Sequence, residues 1–463
     1  MNDILRIDRF PSGQIFLPPS KSVGHRALIC GALAGGGTVR NAGDNDDIRA
    51  TIRCLSALGA KLSSLDGEAD DTNKASGNSD SWRIESGRAS RLRTPTTLDC
   101  GESGSTLRFL IPLAALYGAE VTFTGRGRLM ERPLDVYETC LGGKGVSFRR
   151  KDGSLTVRGP LSPGVFRLPG DVSSQFITGL LLALPLLSQD SLILLETPLQ
   201  SASYVDLTLA VLADYGIKIE NNEHKYYKIY GNQRYRVRDY AVEADYSGAA
   251  FFLAAAALGR PLELMGLNLA SVQGDRAFLD LLRQAGYEVQ TGPHGGITVT
   301  PSSDGMTESA ADGEQRPEAA SRVPRSKAAA ASSVIRPRPL TVDVGDIPDL
   351  VPPLAALLAF ADGESRIENA ERLRIKESDR LATVTRQLNR LGAEVIEGRD
   401  SLIIRGKPQL RGGLCFGEND HRIAMMCGVA AIGCETPVTI DGYDCVKKSY
   451  PGFWRDFMGK EKS

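Results

Sequence analysis

A chain of 463 residues, 42% apolar and 24% charged, has the composition of a globular protein and is long enough for two or three hydrophobic cores. Its formal net charge of -1 excludes a broad basic surface for nucleic acid. Its longest apolar runs are shorter than the roughly 18 residues that a membrane span needs. The eight cysteines form no CxxC pair, and the charged start MNDILRIDRF lacks the apolar core of a signal peptide. A cytoplasmic protein with reduced thiols is therefore expected.

The predicted elements, taken in chain order, repeat one pattern six times. In each copy a short strand leads through a polar loop into an apolar helix, at residues 17–36, 98–118, 165–187, 240–259, 340–363 and 414–433. A more amphipathic helix that ends in glycine follows, as in DDIRATIRCLSALGAKL from Asp46. Strands such as LTVRG and LIIRG close the units. Each unit is therefore predicted to be β-α-β-α-β-β.

The first helix of each unit is apolar on every side, which predicts that it is buried on every side. Three units per domain then place their apolar helices inside and their sheets outside. The sequence therefore predicts an α/β fold of two inside-out α/β barrels, with the first three units in residues 22–243 and the others from 244 onward. Two segments poor in bulky apolar residues, 65–82 and 301–339, are predicted to be mobile surface insertions.

Polar and charged side chains, several of them able to bind anions, stand at the starts of the apolar helices and in the loops that follow these helices. Helix N-termini present unpaired N–H groups and the positive end of the helix dipole, which suit phosphate and carboxylate. Each such residue alone is more often a solvated charge or an N-cap, and only the position that these residues share indicates a binding site. If these loops converge, they form a cleft for two substrates with several anionic groups. The residues are Lys21, Ser22, Arg26, Ser103, Gly104, Ser105, Arg108, Arg126, Arg128, Arg132, Ser173, Ser174, Gln175, Ser201, Tyr204, Asp349, Lys376, Glu377, Arg380, Asn419, Asp420, His421, Arg422 and Lys448.

Several other chemistries are disfavoured by missing motifs. The sequence has no GxxxxGK[ST] loop, no Rossmann fingerprint and no GxSxG nucleophile elbow. The histidines His25, His224, His294 and His421 are isolated, without HExxH or a thiol cluster, so no metal site is expected. Nothing in the sequence requires a cofactor.

Seven motifs, in order along the chain, carry a resemblance to a known family. They are LPPSKSVGHRAL, SGSTLRF, RLMERP, GDVSSQF, IPDL, RIKESDRL and NDHRIAM. With them the chain resembles the 5-enolpyruvylshikimate-3-phosphate synthases over nearly its whole length, apart from the two insertions. The resemblance implies transfer of the enolpyruvyl group of phosphoenolpyruvate to the 5-hydroxyl of shikimate 3-phosphate, with release of phosphate. We expect a cytoplasmic monomer whose partners are these two small substrates, without a nucleic-acid or membrane partner.

The resemblance also assigns residues to the two substrates. It implies shikimate 3-phosphate binding by Lys21, Ser22, Arg26, Ser173, Ser174, Gln175, Ser201, Tyr204, Asp349 and Lys376. It implies phosphoenolpyruvate binding by Lys21, Gly104, Arg128, Gln175, Arg380, Arg422 and Lys448. In the family the first strand crosses to the second domain, so residues 1–21 are expected to join 244–463. We predict a hinge near residues 20 and 243, open without ligands and closed around them.

The catalytic candidates that the resemblance implies are Asp349, Glu377 and Lys21. Addition requires a proton on the methylene carbon of phosphoenolpyruvate while a hydroxyl attacks C2, and elimination from the tetrahedral intermediate reverses that protonation. Fixed cations must offset the repulsion between two polyanionic substrates. Dense cations also favour ionised carboxylates, so an acid role depends on the assembled complex. The sequence leaves open which group moves which proton.

Two residues depart from the pattern of other family members. Glu102 stands where many relatives carry asparagine, and an extra anion there should weaken substrate binding unless it turns away or pairs with arginine. Arg372 takes a position that is asparagine in some relatives. Both departures leave open the response to glyphosate, a ligand that competes with phosphoenolpyruvate.

Two alternative functions compete with this hypothesis. UDP-N-acetylglucosamine enolpyruvyl transferase shares the fold and donor, but it would carry a KNAAL start and a reactive loop cysteine. This chain has SKSVGHRAL instead, and its Cys140 lies in the second predicted helix of a unit. A non-catalytic anion-binding protein of the same fold is disfavoured because Lys21, Asp349, Glu377 and Arg380 are intact.

Overall fold

The computed structural model describes residues 4–65, 81–85, 95–302 and 336–459. The two predicted insertions, 65–82 and 301–339, lie almost wholly outside the described residues. In this part of the chain, no helix is both long and apolar enough to cross a membrane.

Short strands alternate with helices along the whole chain. The strands are β1 (Ile4–Ile7), β2 (Gly13–Phe16), β3 (Gly37–Arg40), β4 (Lys61–Ser64), β5 (Trp82–Glu85), β6 (Thr96–Asp99), β7 (Glu120–Thr124), β8 (Ser147–Lys151), β9 (Ser154–Arg158), β10 (Val165–Leu168), β11 (Ser191–Leu195), β12 (Ile219–Asn222), β13 (Tyr226–Ile229), β14 (Tyr240–Ala241), β15 (Leu262–Met265), β16 (Tyr287–Thr291), β17 (Ile297–Pro301), β18 (Thr341–Asp343), β19 (Glu364–Glu368), β20 (Glu394–Glu397), β21 (Leu402–Arg405), β22 (Gly413–Phe416) and β23 (Val438–Asp441). The helices are α1 (Lys21–Ala34), α2 (Asp46–Ala57), α3 (Gly104–Ala114), α4 (Asp135–Gly142), α5 (Ser174–Ala183), α6 (Ala202–Asp214), α7 (Tyr246–Ala257), α8 (Phe278–Gln284), α9 (Val351–Leu358), α10 (Arg380–Arg390), α11 (His421–Ala430) and α12 (Phe453–Met458).

The strands form small sheets, each built around one repeat unit. Where a unit is complete, as in β6-β7-β9-β8, the first strand runs parallel to the second and the closing pair is antiparallel. The strand orders within the described residues are β14-β3-β5-β4, β6-β7-β9-β8, β10-β11-β13-β12, β16-β17-β15-β2, β18-β19-β21-β20 and β1-β23-β22.

The apolar helices occupy the interior, because a helix such as YSGAAFFLAAAA (α7) has no polar side to turn toward water. Helices α1, α3 and α5 belong to one hydrophobic core, which runs from Val23 to Val242. Helices α7, α9 and α11 belong to a second core, which includes Ile7 and Ile15. The predicted fold class, a two-domain α/β architecture with buried helices and outer sheets, is confirmed. We call residues 22–243 the first lobe, and residues 4–21 with 244–459 the second lobe.

Two strands are exchanged between the lobes. β2 precedes α1 in the chain but pairs with β15 of the second lobe, and β14 precedes α7 but pairs with β3 of the first. The two connecting segments run side by side, with Ser20 N donating to the Glu243 carbonyl at 2.7 Å and Asp245 N to the Pro18 carbonyl at 2.9 Å. The start of α1 therefore lies at the junction of the lobes. The predicted domain division and hinge fall at this junction and stay predictions.

The sixth unit differs from the predicted pattern. β1 pairs antiparallel with β23, and the chain after β23 continues into a 3-10 turn and α12. The reason lies in the sequence GFWRDFM, whose Phe453, Trp454 and Phe457 are buried in the second core. An aromatic helix thus follows β23 in the chain order, as the second helix follows the second strand in other units, and the N-terminal strand extends the sheet.

Candidate active site

A cleft between the two lobes lies where the helix starts of both lobes meet. The N-termini of α1, α3 and α5 border it from the first lobe, and those of α10 and α11 from the second. The residues that the sequence analysis assigned to substrates or catalysis line this cleft, except Arg128 and Lys448. The lining residues are Lys21, Ser22, Arg26, Asp47, Gly104, Ser105, Arg108, Phe109, Arg132, Val172, Ser173, Ser174, Gln175, Ser201, Tyr204, Asp349, Arg372, Ile375, Lys376, Glu377, Arg380, His421 and Arg422.

The cleft concentrates positive charge that the near-zero net charge of the chain conceals. Eight lysine and arginine side chains line it, against three carboxylates. Such an excess in a concave site attracts ligands with several anionic groups. The cations are Lys21, Arg26, Arg108, Arg132, Arg372, Lys376, Arg380 and Arg422, and the carboxylates are Asp47, Asp349 and Glu377.

Arg380 organises the second-lobe wall of the cleft and is only 1% exposed. Its guanidinium donates to Asp420 Oδ2 at 2.8 Å, to Asp349 Oδ1 at 2.9 Å and to Glu377 Oε2 at 2.6 Å. Asp420 also caps α11 by accepting from the Arg422 backbone N–H at 3.0 Å. A buried guanidinium needs such compensation. Asp420 was named among the helix-start residues but was assigned no substrate or catalytic role, because its main partner lies 40 positions away.

Asp349 receives hydrogen bonds from both lobes. Arg422 Nη2 donates to its Oδ2 at 3.0 Å, and the Tyr204 hydroxyl of the first lobe donates to the same oxygen at 3.0 Å. Lys376 Nζ lies 3.6 Å from Oδ1. Burial alone would raise the pKa of Asp349, but Arg422, Lys376 and Arg380 together hold it well below its usual value. Asp349 is therefore ionised in the cleft.

Glu377 is ionised for the same physical reason. Burial opposes ionisation, but Arg380 and Arg132 outweigh it and hold the pKa of Glu377 well below its ordinary value. Arg132 approaches Glu377 from the first lobe, with 3.3 Å between Nη2 and Oε1. These two carboxylates agree with the expectation that dense cations favour ionisation.

The two lysines of the cleft differ in their protonation. Burial would lower the pKa of Lys21, but the carboxylates Asp47 and Glu377 raise it above its usual value. Lys21 Nζ donates to Asp47 Oδ2 at 2.9 Å. Burial lowers the pKa of Lys376 to about 8 despite the opposing effect of Asp349. Lys376 is thus the cleft lysine that titrates nearest to neutral pH, a property that sequence reasoning did not detect because burial decides it.

The first-lobe wall is held by the buried Arg26. Its Nε donates to Thr208 Oγ1 at 2.8 Å, Nη2 to the Tyr204 carbonyl at 2.9 Å and Nη1 to the Ser22 carbonyl at 2.7 Å. The guanidinium therefore fixes the backbone beside two hydroxyl side chains, those of Ser22 and Tyr204, that face the cleft. Ser173 and Ser174 follow at the start of α5, where the Ser173 hydroxyl caps the helix.

Arg372 connects the lobes at one end of this wall. Its Nη1 donates to Ser201 Oγ at 2.8 Å, and its Nε donates to the Val172 carbonyl at 3.2 Å. An asparagine side chain is too short to reach across in the same way. An arginine instead of an asparagine at position 372 therefore adds a cation to the cleft and a contact between the lobes.

Gln175 and two arginines surround Gly104 at the start of α3. Gln175 Oε1 accepts from Arg108 Nη1 at 2.7 Å, and its Nε2 donates to Ser105 Oγ at 3.0 Å. A Cβ on Gly104 would lie 2.9 Å from Arg132 Nη1 and 3.2 Å from Arg108 Nη1. The absence of a side chain at Gly104 thus lets both guanidinium groups approach the helix start.

The arginines of GRGRLMERP point in different directions. Arg132 lines the cleft, whereas Arg128 has a 57% exposed side chain 3.6 Å from Glu131. A 3-10 turn, Leu129–Glu131, separates them. The sequence analysis collected Arg108 and Arg132 as anion-binding candidates but assigned neither to a substrate. Only the path of this turn distinguishes Arg132 from Arg128.

Lys448 lies just outside the cleft lining and pairs with Glu102. Its Nζ is 2.6 Å from Glu102 Oε2 and 2.7 Å from the Asn419 carbonyl oxygen. The sequence suggested that Glu102 would weaken substrate binding unless it turned away or paired with an arginine. Glu102 does pair with a cation, but that cation is a lysine.

Metal ligation has no candidate among the described residues, where no group of three or more His, Cys, Asp and Glu side chains could hold an ion. All eight cysteines are free thiols, and all except Cys434 are buried.

Comparisons with known proteins connect this geometry to one family. A family model described as EPSP synthase (3-phosphoshikimate 1-carboxyvinyltransferase) matches residues 9–457. A 3-phosphoshikimate 1-carboxyvinyltransferase from Clostridium kluyveri is 42% identical over 448 residues, covering 96% of this chain and 94% of the relative. One from Clostridium novyi is 40% identical over 461 residues, covering 99% and 97%.

Solved structures share the fold. An EPSP synthase from Acinetobacter baumannii has a TM-score of 0.72 at 21% identity and covers 98% of both chains. The enolpyruvyl transferase NikO from Streptomyces tendae has a TM-score of 0.69 at 19% identity, covering 98% of this chain and 96% of that one.

Proposed function

The chain belongs to the EPSP synthase family, and from this premise we propose which residues of the cleft carry the family's reaction. That reaction transfers the enolpyruvyl group of phosphoenolpyruvate to the 5-hydroxyl of shikimate 3-phosphate and releases phosphate. The chain is accordingly a transferase of the shikimate pathway, which leads to the aromatic amino acids. The observation that supports the residue assignments most directly is the convergence of eight cations and two ionised carboxylates, Asp349 and Glu377, between the lobes.

Shikimate 3-phosphate, the acceptor, is proposed to bind against the first-lobe wall. Hydroxyl groups and cations there match its phosphate, carboxylate and ring hydroxyls, and Arg26 holds the backbone of that wall. The proposed residues are Lys21, Ser22, Arg26, Ser173, Ser174, Gln175, Ser201, Tyr204, Asp349 and Lys376.

Phosphoenolpyruvate, the donor, is proposed to bind between the start of α3 and the starts of α10 and α11. Gly104 leaves room for it, and Lys21, Gln175, Arg380 and Arg422 line the same space. Arg108 and Arg132 are added to this set because their guanidinium groups border Gly104.

Arg128 and Lys448 are proposed to reach the donor by moving their side chains inward. We expect Arg128→Met to raise the KM for phosphoenolpyruvate about tenfold, because it removes one bidentate anion contact, with the KM for shikimate 3-phosphate unchanged. Arg149→Met, which removes an exposed arginine of the same lobe, is the control. An unchanged donor KM in Arg128→Met would leave Arg132 as the better candidate.

The proposed chemistry assigns separate proton tasks to the two carboxylates. Asp349 accepts the proton of the 5-hydroxyl of shikimate 3-phosphate. The oxygen of that hydroxyl forms the bond to C2 of phosphoenolpyruvate at the same time. Glu377 acquires a proton when the bound donor places negative charge beside it, and delivers that proton to the methylene carbon. In the second step the C2–O bond to phosphate breaks, the leaving phosphate takes the proton held by Asp349, and Glu377 takes a proton back from the methyl group. Lys21 stabilises the charge that develops on the donor.

The test is release of inorganic phosphate from purified protein given phosphoenolpyruvate and one of two acceptors. Release with shikimate 3-phosphate and not with UDP-N-acetylglucosamine is the expected result. Release with the sugar nucleotide alone would contradict the proposal. Glu377→Gln and Asp349→Asn should each lower kcat by at least about 100-fold, the range for losing a positioned acid or base.

The hinge is proposed to lie where residues 17–20 run beside residues 241–245, since those segments carry the exchanged strands. Binding of both substrates should close the lobes further. Small-angle scattering with and without saturating phosphoenolpyruvate and shikimate 3-phosphate tests this, and an unchanged radius of gyration would contradict it. We also propose a cytoplasmic location, which the eight free thiols support, and a monomeric state, which the sequence analysis expected. Light scattering on the purified chain tests the monomer.

A further inference from the structure

Glu102 and Lys448 form an ion pair that joins the lobes beside the donor end of the cleft. Glu102 lies in the first lobe, in the loop between β6 and α3, and Lys448 lies in the second lobe, at the end of the turn Tyr443–Lys448. The Lys448 side chain is 12% exposed and that of Glu102 is 30% exposed, with 2.6 Å between Nζ and Oε2. The contact is therefore short and only partly open to water.

Two of the three N–H donors of Lys448 already have partners within the protein. A lysine ammonium has three N–H donors. One donates to Glu102 and a second to the Asn419 carbonyl at 2.7 Å. The Asn419 side chain donates to the same Glu102 oxygen at 3.3 Å, which fixes the carboxylate from the second lobe. A single N–H of Lys448 remains for a ligand.

The surrounding loop leaves space for the Glu102 carboxylate in this position. Gly127 packs beside it in a left-handed conformation (φ +57°), and a Cβ there would lie 3.0 Å from the Glu102 carboxylate. Gly101, with φ +58°, turns the chain directly before Glu102. The local backbone thus accommodates an acidic side chain directed at Lys448.

We propose that Glu102 is a built-in competitor of the donor, an internal carboxylate that occupies Lys448 until an anionic group of phosphoenolpyruvate displaces it. The inference rests on the proposed function, in which Lys448 binds the donor. When the binding-competent form of a site is only partly populated, the apparent affinity falls by that fraction. Glu102 therefore sets the donor affinity of the enzyme without contacting the reacting atoms.

The test is steady-state kinetics of Glu102→Gln, which keeps the size of the side chain and removes its charge. The KM for phosphoenolpyruvate should fall about fivefold, the worth of one partly exposed ion pair. The inhibition constant of inorganic phosphate against phosphoenolpyruvate should fall with it. The KM for shikimate 3-phosphate and kcat should stay unchanged. The substitution alters donor binding equally in the ground state and in the transition state. Glu102→Asn is the second variant if Glu102→Gln does not fold.

Two further variants identify the route of the effect. Glu138→Gln removes an exposed ion pair with Arg150 in the same lobe and should change none of these constants. In a Lys448→Met background, Glu102→Gln should no longer lower the donor KM, because the competition needs both partners. An equal fall in that background would assign the effect to the general field of the cleft and overturn the inference.

The remaining outcomes separate this inference from the proposed function. If Lys448→Met raises the donor KM but Glu102→Gln leaves it unchanged or raises it, the placement of the donor stands and the competition is overturned. If Lys448→Met leaves the donor KM unchanged, Lys448 is not a donor ligand, and both statements about Lys448 are overturned.

Discussion

The Tyr204 hydroxyl of the first lobe donates a hydrogen bond to Asp349 Oδ2 of the second lobe at 3.0 Å. The residues are 145 positions apart in sequence and meet only because the lobes face each other across the cleft. Burial and the nearby carboxylates Asp275 and Asp349 raise the pKa of Tyr204 well above its ordinary value, so the hydroxyl remains a donor. The contact therefore links Tyr204, which is proposed to bind shikimate 3-phosphate, directly to Asp349, the proposed base.

Tyr204→Phe should therefore impair the reaction without unfolding the protein. A hydrogen bond to a charged group is worth about 1.5–3 kcal/mol, so we expect kcat/KM for shikimate 3-phosphate to fall by roughly 10- to 100-fold. Tyr235→Phe is the matched control, since that buried hydroxyl donates to the Leu182 carbonyl within the first lobe. Equal losses in the two variants would show that the Tyr204 effect is structural.

Asp420→Asn should destabilise the second lobe. The substitution removes a fully buried carboxylate from the Arg380 guanidinium, and breaking a buried ion pair costs about 3–5 kcal/mol. Urea unfolding measures the loss as a lower midpoint at an unchanged slope. Glu364→Gln, which breaks partly exposed pairs with Arg366 and Arg405 in the same lobe, should cost less than about 1 kcal/mol. A comparable loss in both variants would contradict the role of Asp420.

Asp275 is a buried carboxyl whose Oδ2 accepts from the Ser247 hydroxyl and whose Oδ1 has no hydrogen-bond partner. Burial first, and the charge of Asp349 second, raise the pKa of Asp275 to about 7. Arg422 and the Ser247 hydrogen bond act in the opposite direction, and Asp245 adds a smaller increase. The folded protein therefore keeps a proton that the unfolded chain releases near pH 4.

Between pH about 4 and 7 the folded state binds this proton and the unfolded state does not, so the free energy of unfolding falls as pH rises. Above pH about 7 the stabilisation that this proton provides is fully lost. Asp275→Asn removes that dependence. The stability of the variant relative to the natural chain should thus increase between pH 4 and pH 8, by an amount on the order of 4 kcal/mol.

Denaturant unfolding of both proteins at pH 4, 6 and 8 measures this difference. Asp280→Asn, on the exposed side of α8, is the control for removal of a surface carboxyl, and the change with pH should be larger for Asp275→Asn than for this control. A constant difference for Asp275→Asn would contradict a raised pKa.

Lys376 should impose an alkaline limit on substrate capture. Because burial lowers the pKa of Lys376 to about 8, the lysine loses its charge above that pH and no longer attracts an anionic acceptor. We expect kcat/KM for shikimate 3-phosphate to fall above pH 8, and Lys376→Arg to move this fall to higher pH because arginine stays charged. An unchanged profile in Lys376→Arg would assign the limit to another group.

Much of the fold follows from patterns local in sequence. Helices apolar on every side, such as α7, have no stable place outside a core, and six copies of one pattern imply six similar units. The anion-binding positions at the helix starts follow from the same repeat, because each unit brings its polar loop to an equivalent position. For this reason Lys21, Ser22, Arg26, Asp349 and their companions could be named before any contact was known.

Other features depend on which distant segments meet, and only the tertiary structure decided them. β2 and β14 pair in the lobe opposite to the helix that each precedes. The resemblance to a family implied this exchange, but no pattern local in the sequence selects the partner of either strand. Arg132 rather than Arg128 faces the cleft because a 3-10 turn sets their directions. Burial lowers the pKa of Lys376, and burial depends on which distant segments pack around this side chain. Glu102 finds Lys448 across 346 positions, a pairing that no local pattern encodes.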